Sequence, residues 1–371
     1  MEKKLVIGID ASRSNIIQKT GTEYYSFEII RNLIKNNNFD FKLYSKTPLG
    51  YINGQKHIKN IVMPFPKLWS QIRLSFEIKK NPPDVLFEPA HTIPLIHSNK
   101  IVVTVHDVGF KYYPELYTPL ERYYHDFCMG FSIKHATEII SISKSTMKDI
   151  VKFYGADPKK ITIIYHGYEK DKYYPIRKGE GAPEWLKKFR PYIYFIGRLE
   201  AKKNIKNLVR AYGLLKKDKN VKHKLVLAGR PGYMYEEIKQ EIEKLDKCVR
   251  EDVIELGYVQ DNKVSDLMRF ANIFAFVSKF EGFGMPLVEA MASGVPIVGS
   301  NTTSIPEITN GCALLSEPND YIEISKHFYN LIKDDKVYNN YARKGLERSR
   351  AFNWEDASDK TLEVLKRVGL S

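Results

Sequence analysis

FAFVSKFEGFGMPLVEAMASGVPIVGS, residues 274–300, is the stretch whose reading decides the fold. Phe274 to Val277 and Val295 to Val298 are apolar runs of strand length. Between them Pro286 suits a first helical position, and Ala290, Met291 and Ala292 continue as helix formers. Gly294 ends that helix as a C-terminal glycine does. Two such runs around a crossover predict a parallel pair buried on both faces. A strand–loop–helix turn of this kind aims its free N–H groups at the carboxyl edge of the sheet, where ligands bind. Gly282 and Gly284 let the backbone approach something closely, and the amides of Leu287 and Val288, in the first helical turn, are expected to serve an anion. Glu281 and Glu289 flank that anion site. Carboxylates facing a cleft accept hydrogen bonds from hydroxyls, so sugar or ribose oxygens are natural partners. Taken singly, either acid is equally a solvated loop or helix-face charge.

Working outward, the same alternation fills the chain. Strands are expected at 192–196, 224–228 and 253–256, with helices from Ile205 and across 236–245. The preceding run EKDKYYPIRKGEGAPEWLKKFR, residues 169–190, is charged and broken by Pro and Gly, and reads as a linker. Before it, strands are expected at 5–9, 41–44, 85–87, 101–105, 138–142 and 161–164, and helices at 23–35, 69–80, 119–134 and 145–153. Phe27, Ile30 and Leu33 form the expected inner face of the first helix. Strands alternating with helices imply an α/β chain with two doubly wound, Rossmann-like parallel sheets: residues 1–170 and 190–353. A last helix begins at Trp354.

Composition bounds the partners. At 371 residues, with 43% hydrophobic and 27% charged, this is an ordinary soluble composition with room for two or three domains. No apolar stretch approaches the ~18 residues of a membrane span. Asp10 and a strand-like period make the N-terminus unlike a signal peptide. Cys128, Cys248 and Cys312 have neither metal-ligand spacing nor a disulfide pattern, which fits a reducing cytoplasm. The net charge of +14, from 58 basic and 44 acidic residues, suits an anionic substrate, a membrane surface or plain surface charge. No nucleic-acid motif or polybasic block accompanies it, so no nucleic-acid partner is expected.

Several clusters sit at expected strand ends. In GRLEAKKN, residues 197–204, Arg198 can grip two phosphate oxygens and Lys203 supplies a mobile point charge, with adjacent Lys202 as the competing candidate. His106 and Asp107 follow the strand at 101–105 directly; a packed or merely polar histidine is the alternative reading. Two cations and a helix N-terminus can neutralise a leaving diphosphate, and no Asp-x-Asp follows a strand, so no metal and no cofactor are expected. Phe110, Tyr112, Tyr113, Tyr117, Arg122, Tyr123, Tyr124 and Phe127 form an aromatic, partly basic region suited to lipid headgroups or a lipid-linked acceptor, although aromatics at this spacing more often pack a core.

EGFGMPLVE, residues 281–289, followed by AMASGVPIV and later by SIPE at 304–307, resembles the signature of the retaining GT-B glycosyltransferases of family 4. Within it the bacterial O-antigen and polysaccharide mannosyltransferases are the most similar group. The resemblance implies two Rossmann-like domains around an interdomain cleft, with the helix from Trp354 returning to the N-terminal domain. It implies metal-independent transfer of a hexose, mannose from GDP-mannose, onto a polysaccharide or lipid-linked glycan at the inner membrane face. The alternatives are a UDP-sugar donor or a non-catalytic nucleotide-sugar or glycan-binding relative. It assigns Glu281 to donor-sugar hydroxyls, Glu289 to the ribose, and Arg198 and Lys203 to the diphosphate. Gly282, Phe283, Gly284, Met285 and Leu287 would line the donor, and Gly257, Tyr258 and Val259 would read the base. His106 would contact the sugar near its anomeric carbon. Gly21 and Thr22 match the family's acceptor loop in part, Thr22 replacing the usual second glycine, and Asp107 joins that side. No covalent nucleophile is apparent, which implies front-face substitution.

Overall fold

The computed structural model describes residues 4–16, 19–52, 54–97, 100–219 and 221–371. They form two compact units, Met1–Gly167 with Asn353–Ser371, and Tyr168–Phe352. In the first, seven parallel strands, β1 (Val6–Asp10), β2 (Asp40–Ser45), β3 (Ile58–Val62), β4 (Val85–Glu88), β5 (Ile101–Val105), β6 (Glu138–Ser141) and β7 (Ile161–Ile163), lie in the order 3-2-1-4-5-6-7. In the second, β8 (Tyr192–Ile196), β9 (Lys224–Ala228), β10 (Val253–Gly257), β11 (Ile273–Phe276), β12 (Ile297–Ser300) and β13 (Ala313–Ser316) lie in the order 10-9-8-11-12-13. Both orders reverse beside the first strand of the unit, the switch point at which doubly wound sheets bind ligands.

Residues 274–300 fold as read, with one shift. β11 and β12 pair in parallel, Phe274 opposite Ile297, around the helix Met285–Ala292. Gly294 follows that helix at φ 70°, but Val295 belongs to the turn, its N–H donating to Ala290 O at 3.0 Å.

Two strands escape the sequence reading. β3 is an edge strand with the polar pair Lys59 and Asn60 at its middle, and β13 is only four residues long. The segment 169–190, expected as a linker, is packed into the second unit: Arg177 and Arg269 both lie against the Tyr174 ring, 4.3 and 4.4 Å from its centroid, and Arg269 pairs with Glu180 at 2.6 Å.

Each face of the first sheet carries its own core. On one, Tyr25, Ile29, Ile30 and Leu33 of the helix Gly21–Leu33 meet Trp354, Leu362 and Leu365 of the terminal helix Trp354–Leu370. Phe27, expected inward, is only half-buried and lies instead between Tyr51 and the Lys19 cation. The other face packs Met129 and Ile133 of Pro119–His135 and Ile150 of Lys144–Tyr154. Here the aromatic region divides: Phe110 is buried, whereas Leu120, Tyr123 and Phe127 point outward at 78, 73 and 50% exposure. Phe76, Leu95 and Ile96 are also exposed, and the segment carrying the last two is tied to the neighbouring helices, the Ile93 and Ile96 amides donating to Ser132 and Ser75. No helix among the described residues is long and apolar enough to cross a membrane.

At the first unit's switch point two acids are buried together, Asp10 at the end of β1 and Glu88 at the end of β4. Burial, and then the charge and hydrogen bond of Asp10, push Glu88 well above the usual carboxylate range. A group with a raised folded-state pKa stabilises the fold below its unfolded pKa and loses that contribution as pH rises toward the folded value. As pH rises above the usual glutamate range, the melting temperature should therefore fall more steeply in the wild type than in Glu88→Gln, whose amide keeps the donor to Asp10 without titrating. Parallel melting profiles for the two proteins would show Glu88 to be ionised.

Candidate functional site

The carboxyl edge of the second sheet is laced by backbone bonds that leave little freedom to its loops. Gly197 N–H donates to Ala228 O at 3.0 Å and Gly229 N–H to Gly257 O at 2.7 Å, joining the ends of β8, β9 and β10. Beyond them Leu199 N–H donates to Arg230 O and Gly232 N–H to Leu199 O, both at 2.9 Å. At Gly229 a Cβ would fall 1.8 Å from Gly197 O, so only glycine permits this approach. The lacing sets Arg198, Arg230 and Tyr258 just beyond three neighbouring strand ends, with the 278–284 loop on the β11 side of β8.

That loop holds the tightest polar contact of the edge. Lys203 donates to Glu281 Oε1 at 2.6 Å, with side-chain exposures of only 19 and 12%. Lys203 is positioned by Asn204, which adopts the left-handed conformation (φ 61°) and donates to Val277 O at 3.0 Å and Pro318 O at 2.5 Å. The choice between the two lysines is thereby made locally: Lys203 reaches the glutamate loop, while Lys202 contributes its carbonyl to Lys279 N–H. On the other side, Glu281 N–H donates to Thr303, and the buried Ser304 hydroxyl lies within hydrogen-bond reach of both Glu281 O and Phe283 O. The SIPE segment thus buttresses the EGFG loop, a function its sequence did not disclose.

Two expectations for this loop need correction. Leu287 N–H donates to Gly284 O at 2.9 Å, closing the tight turn that Gly284 makes at φ 92°, so this amide is not open to an anion. Phe283 is buried, its ring packed edge-on against Phe352, and what it offers is backbone.

Glu289 stands on the helix Met285–Ala292 and titrates abnormally. Burial raises its carboxyl to about 7; the Tyr173 hydroxyl bond and Lys172 pull downward, while Glu169 and Asp261 push further up. Tyr173, Glu169 and Lys172 come from the segment expected to be a mere linker, which carries no signature for this role. Gly257 turns at φ 63° and leaves Tyr258 half-exposed, with Val259 beside it.

The first unit gathers a different chemistry at the ends of β4, β5 and β7. His106 is buried, and its Nε2 lies 2.8 Å from Pro89 O. A carbonyl only accepts, so Nε2 carries the proton and Nδ1 is left as the acceptor. Burial lowers the His106 pKa and pushes His91 down to about 3, so both imidazoles are neutral at pH 7. His166 is also held well below the usual range by burial, and stacks on Trp354 with ring centroids 5.7 Å apart. Tyr25 packs against His106 and His166 at 4.8 and 4.7 Å. His91, with φ 40°, and Arg13, which binds Glu23 at 3.0 Å, are charge-coupled to His106 and were not anticipated.

Asp107 accepts from Gly109 N–H at 2.8 Å, where the short helix Gly109–Tyr112 begins, so one of its oxygens is structural. Gly21 and Thr22 do not form a loop: they are the first two residues of a helix capped by Thr20 and Glu23. Burial pushes Glu23 up, but its bonds to Thr20 and Arg13 outweigh that and hold it below the usual range.

Comparison with known proteins identifies the family. Residues 20–172 match the family described as Glycosyltransferase Family 4, and residues 182–348 the one described as Glycosyl transferases group 1. The O-antigen chain mannosyltransferase B of Escherichia coli is 32% identical over 272 residues, 72% of this chain and 70% of that one. The O-antigen chain mannosyltransferase RfbU of Salmonella typhimurium is 27% identical over 230 residues, 62% of this chain and 60% of that one. Among solved structures, HepE of Anabaena in complex with UDP-glucose superposes with a TM-score of 0.74 at 17% identity, covering 98% of this chain and 100% of that one. That likeness carries the GT-B fold alone.

The Tyr173 hydroxyl favours the charged form of Glu289, so removing it should leave burial opposed by Lys172 alone. Tyr173→Phe should raise the Glu289 titration midpoint above its value of about 7, read from the side-chain carboxyl carbon by NMR. An unchanged midpoint would remove Tyr173 from the site.

Proposed function

We propose that this chain, which belongs to glycosyltransferase family 4, transfers mannose from GDP-mannose to a glycan acceptor with retention of configuration and without a metal. The observation that carries the reading is the 2.6 Å Lys203–Glu281 pair at the carboxyl edge of β8 and β11, with exposed Arg198 on the same edge. Lys203 and Arg198 supply the charge that a departing diphosphate needs. Glu281 presents a carboxylate to the sugar hydroxyls beside it, and Glu289 does so for the ribose. In the first unit the neutral, hydrogen-bonded His106 serves as a positioning group for the sugar, and no side chain is asked to form a covalent intermediate. The mannose assignment is supported by the two O-antigen mannosyltransferase relatives. A lipid-linked acceptor at a membrane surface is supported by the outward-pointing Leu120, Tyr123 and Phe127 of one helix.

The direct test incubates the protein with labelled GDP-mannose, UDP-glucose and UDP-N-acetylglucosamine, and follows release of the nucleoside diphosphate. Turnover of GDP-mannose alone supports the reading, turnover of a UDP-sugar replaces its donor, and turnover of none leaves a binding protein. A bound donor at 100 times its Kd should also stabilise the fold by ~2.7 kcal/mol.

The two glutamates should separate by ligand. Glu289→Ala should weaken GDP and intact donor alike, by the ~1.5–3 kcal/mol of a charge-assisted hydrogen bond. Glu281→Ala should spare GDP, since it leaves Lys203 unopposed for phosphate, yet impair donor binding and turnover. Calorimetric titration of both variants with both ligands measures this, and equal losses throughout would abolish the division.

Turnover should also survive excess EDTA, because Arg198 and Lys203 carry the charge compensation. Loss on chelation that magnesium or manganese restores would assign that work to a metal.

A further inference from the structure

We propose that Arg230 selects the nucleobase of the donor, its guanidinium reading the O6 and N7 edge of a guanine from its seat on the ring of Tyr258. The inference rests on the donor-site reading above and adds to it a residue that this reading does not use. Arg230 is exposed, and its guanidinium carbon lies 4.7 Å from the Tyr258 ring centroid. Its backbone does not drift, because its carbonyl accepts from Leu199 N–H at 2.9 Å and Gly229 before it is locked against Gly197. Tyr258 is likewise fixed, following the Gly257 turn that accepts from Gly229 N–H at 2.7 Å.

The order of groups along the edge gives Arg230 its role. Reading from β11 through β8 and β9 to β10, the groups are Glu281 with Lys203, then Arg198, then Arg230, then Tyr258. Neighbouring strands are ~4.8 Å apart, so the row extends about 14 Å, enough for a sugar, a diphosphate and a nucleoside in sequence. With the sugar at Glu281 and the phosphates at Lys203 and Arg198, the base falls at the Arg230 and Tyr258 end. Glu289 agrees with this direction, since its carboxyl senses the charge of Asp261, three residues beyond Tyr258.

The chemistry then discriminates. Guanine presents two acceptors, O6 and N7, that match the paired N–H groups of an arginine, whereas adenine presents an amino donor in place of O6. Uracil offers no such pair of adjacent acceptors. Stacking on Tyr258 pre-orients the guanidinium, so little of its freedom remains to be lost on binding.

The test titrates GDP, inosine diphosphate, ADP and UDP into the wild type, Arg230→Met and Arg230→Lys, with melting temperatures as the folding control. Met keeps an apolar stem over Tyr258, and Lys keeps the charge without the fork. The wild type should bind GDP and inosine diphosphate, which share O6 and N7, more tightly than ADP and UDP. Arg230→Met should weaken those two about 10- to 100-fold and leave the others within about twofold, with Arg230→Lys failing to restore the preference. A uniform loss across all four ligands, rescued by Lys, would make Arg230 a phosphate contact and overturn the inference. A guanine preference that survives in Arg230→Met would also overturn it, while leaving the guanine donor intact. Preference of the wild type for UDP would overturn both this role and the GDP-mannose donor, but not glycosyl transfer.

Discussion

The 2.6 Å ion pair between Lys203 and Glu281 is the contact on which the geometry of the second unit's edge depends. Neither partner has much water around it, and removing one charge from such a pair typically costs ~3–5 kcal/mol. The surroundings are built to keep it: Asn204 in a left-handed conformation behind the lysine, Ser304 and Thr303 behind the glutamate loop. The pair also has a chemical consequence. An anion that takes Lys203 replaces the attraction Glu281 supplies, and the carboxylate so released gains capacity for hydroxyl donors. The edge then carries the added negative charge of the anion, and its hydrogen-bonding character changes.

Much of this was legible because it obeys local rules. Residues 274–300 announce strand, turn, helix and strand through apolar runs, Pro286 and Gly294, and the pairing of β11 with β12 follows. Arg198 and Lys203 were legible as cations after a strand. What remained hidden depends on contacts between distant segments. Tyr173 reaches Glu289 from a stretch whose charge and prolines signal only irregular backbone. The Leu287 amide looked available because helix termini leave amides orphaned, yet the tight turn at Gly284 claims it. β3 was missed since an edge strand need not be apolar on both faces, and Lys59 and Asn60 erase its pattern. His91 and Arg13 have no spacing that links them to His106; only the sheet order brings β1, β4 and β5 side by side.

The two units divide their electrostatics differently. The second concentrates cations and ionisable acids along one edge. The first holds four buried groups in uncharged form: His91, His106 and His166 are depressed by burial, and Glu88 is raised by it. An uncharged histidine attracts no counter-ion, but it does offer a donor and an acceptor. His106, its proton committed to Pro89, illustrates the point.

The terminal helix has a consequence for the order in which the chain matures. The core beneath the first sheet is completed by Trp354, Leu362 and Leu365, and a side chain at Gly167 would collide with the Trp354 backbone, 2.2 Å away. The residues between, 168–352, form the other unit. During synthesis, then, the half that begins first is finished last: it waits with one sheet face only partly covered while the ribosome makes an entire second unit. Nascent chains stalled before residue 354 should consequently be the species that chaperones retain.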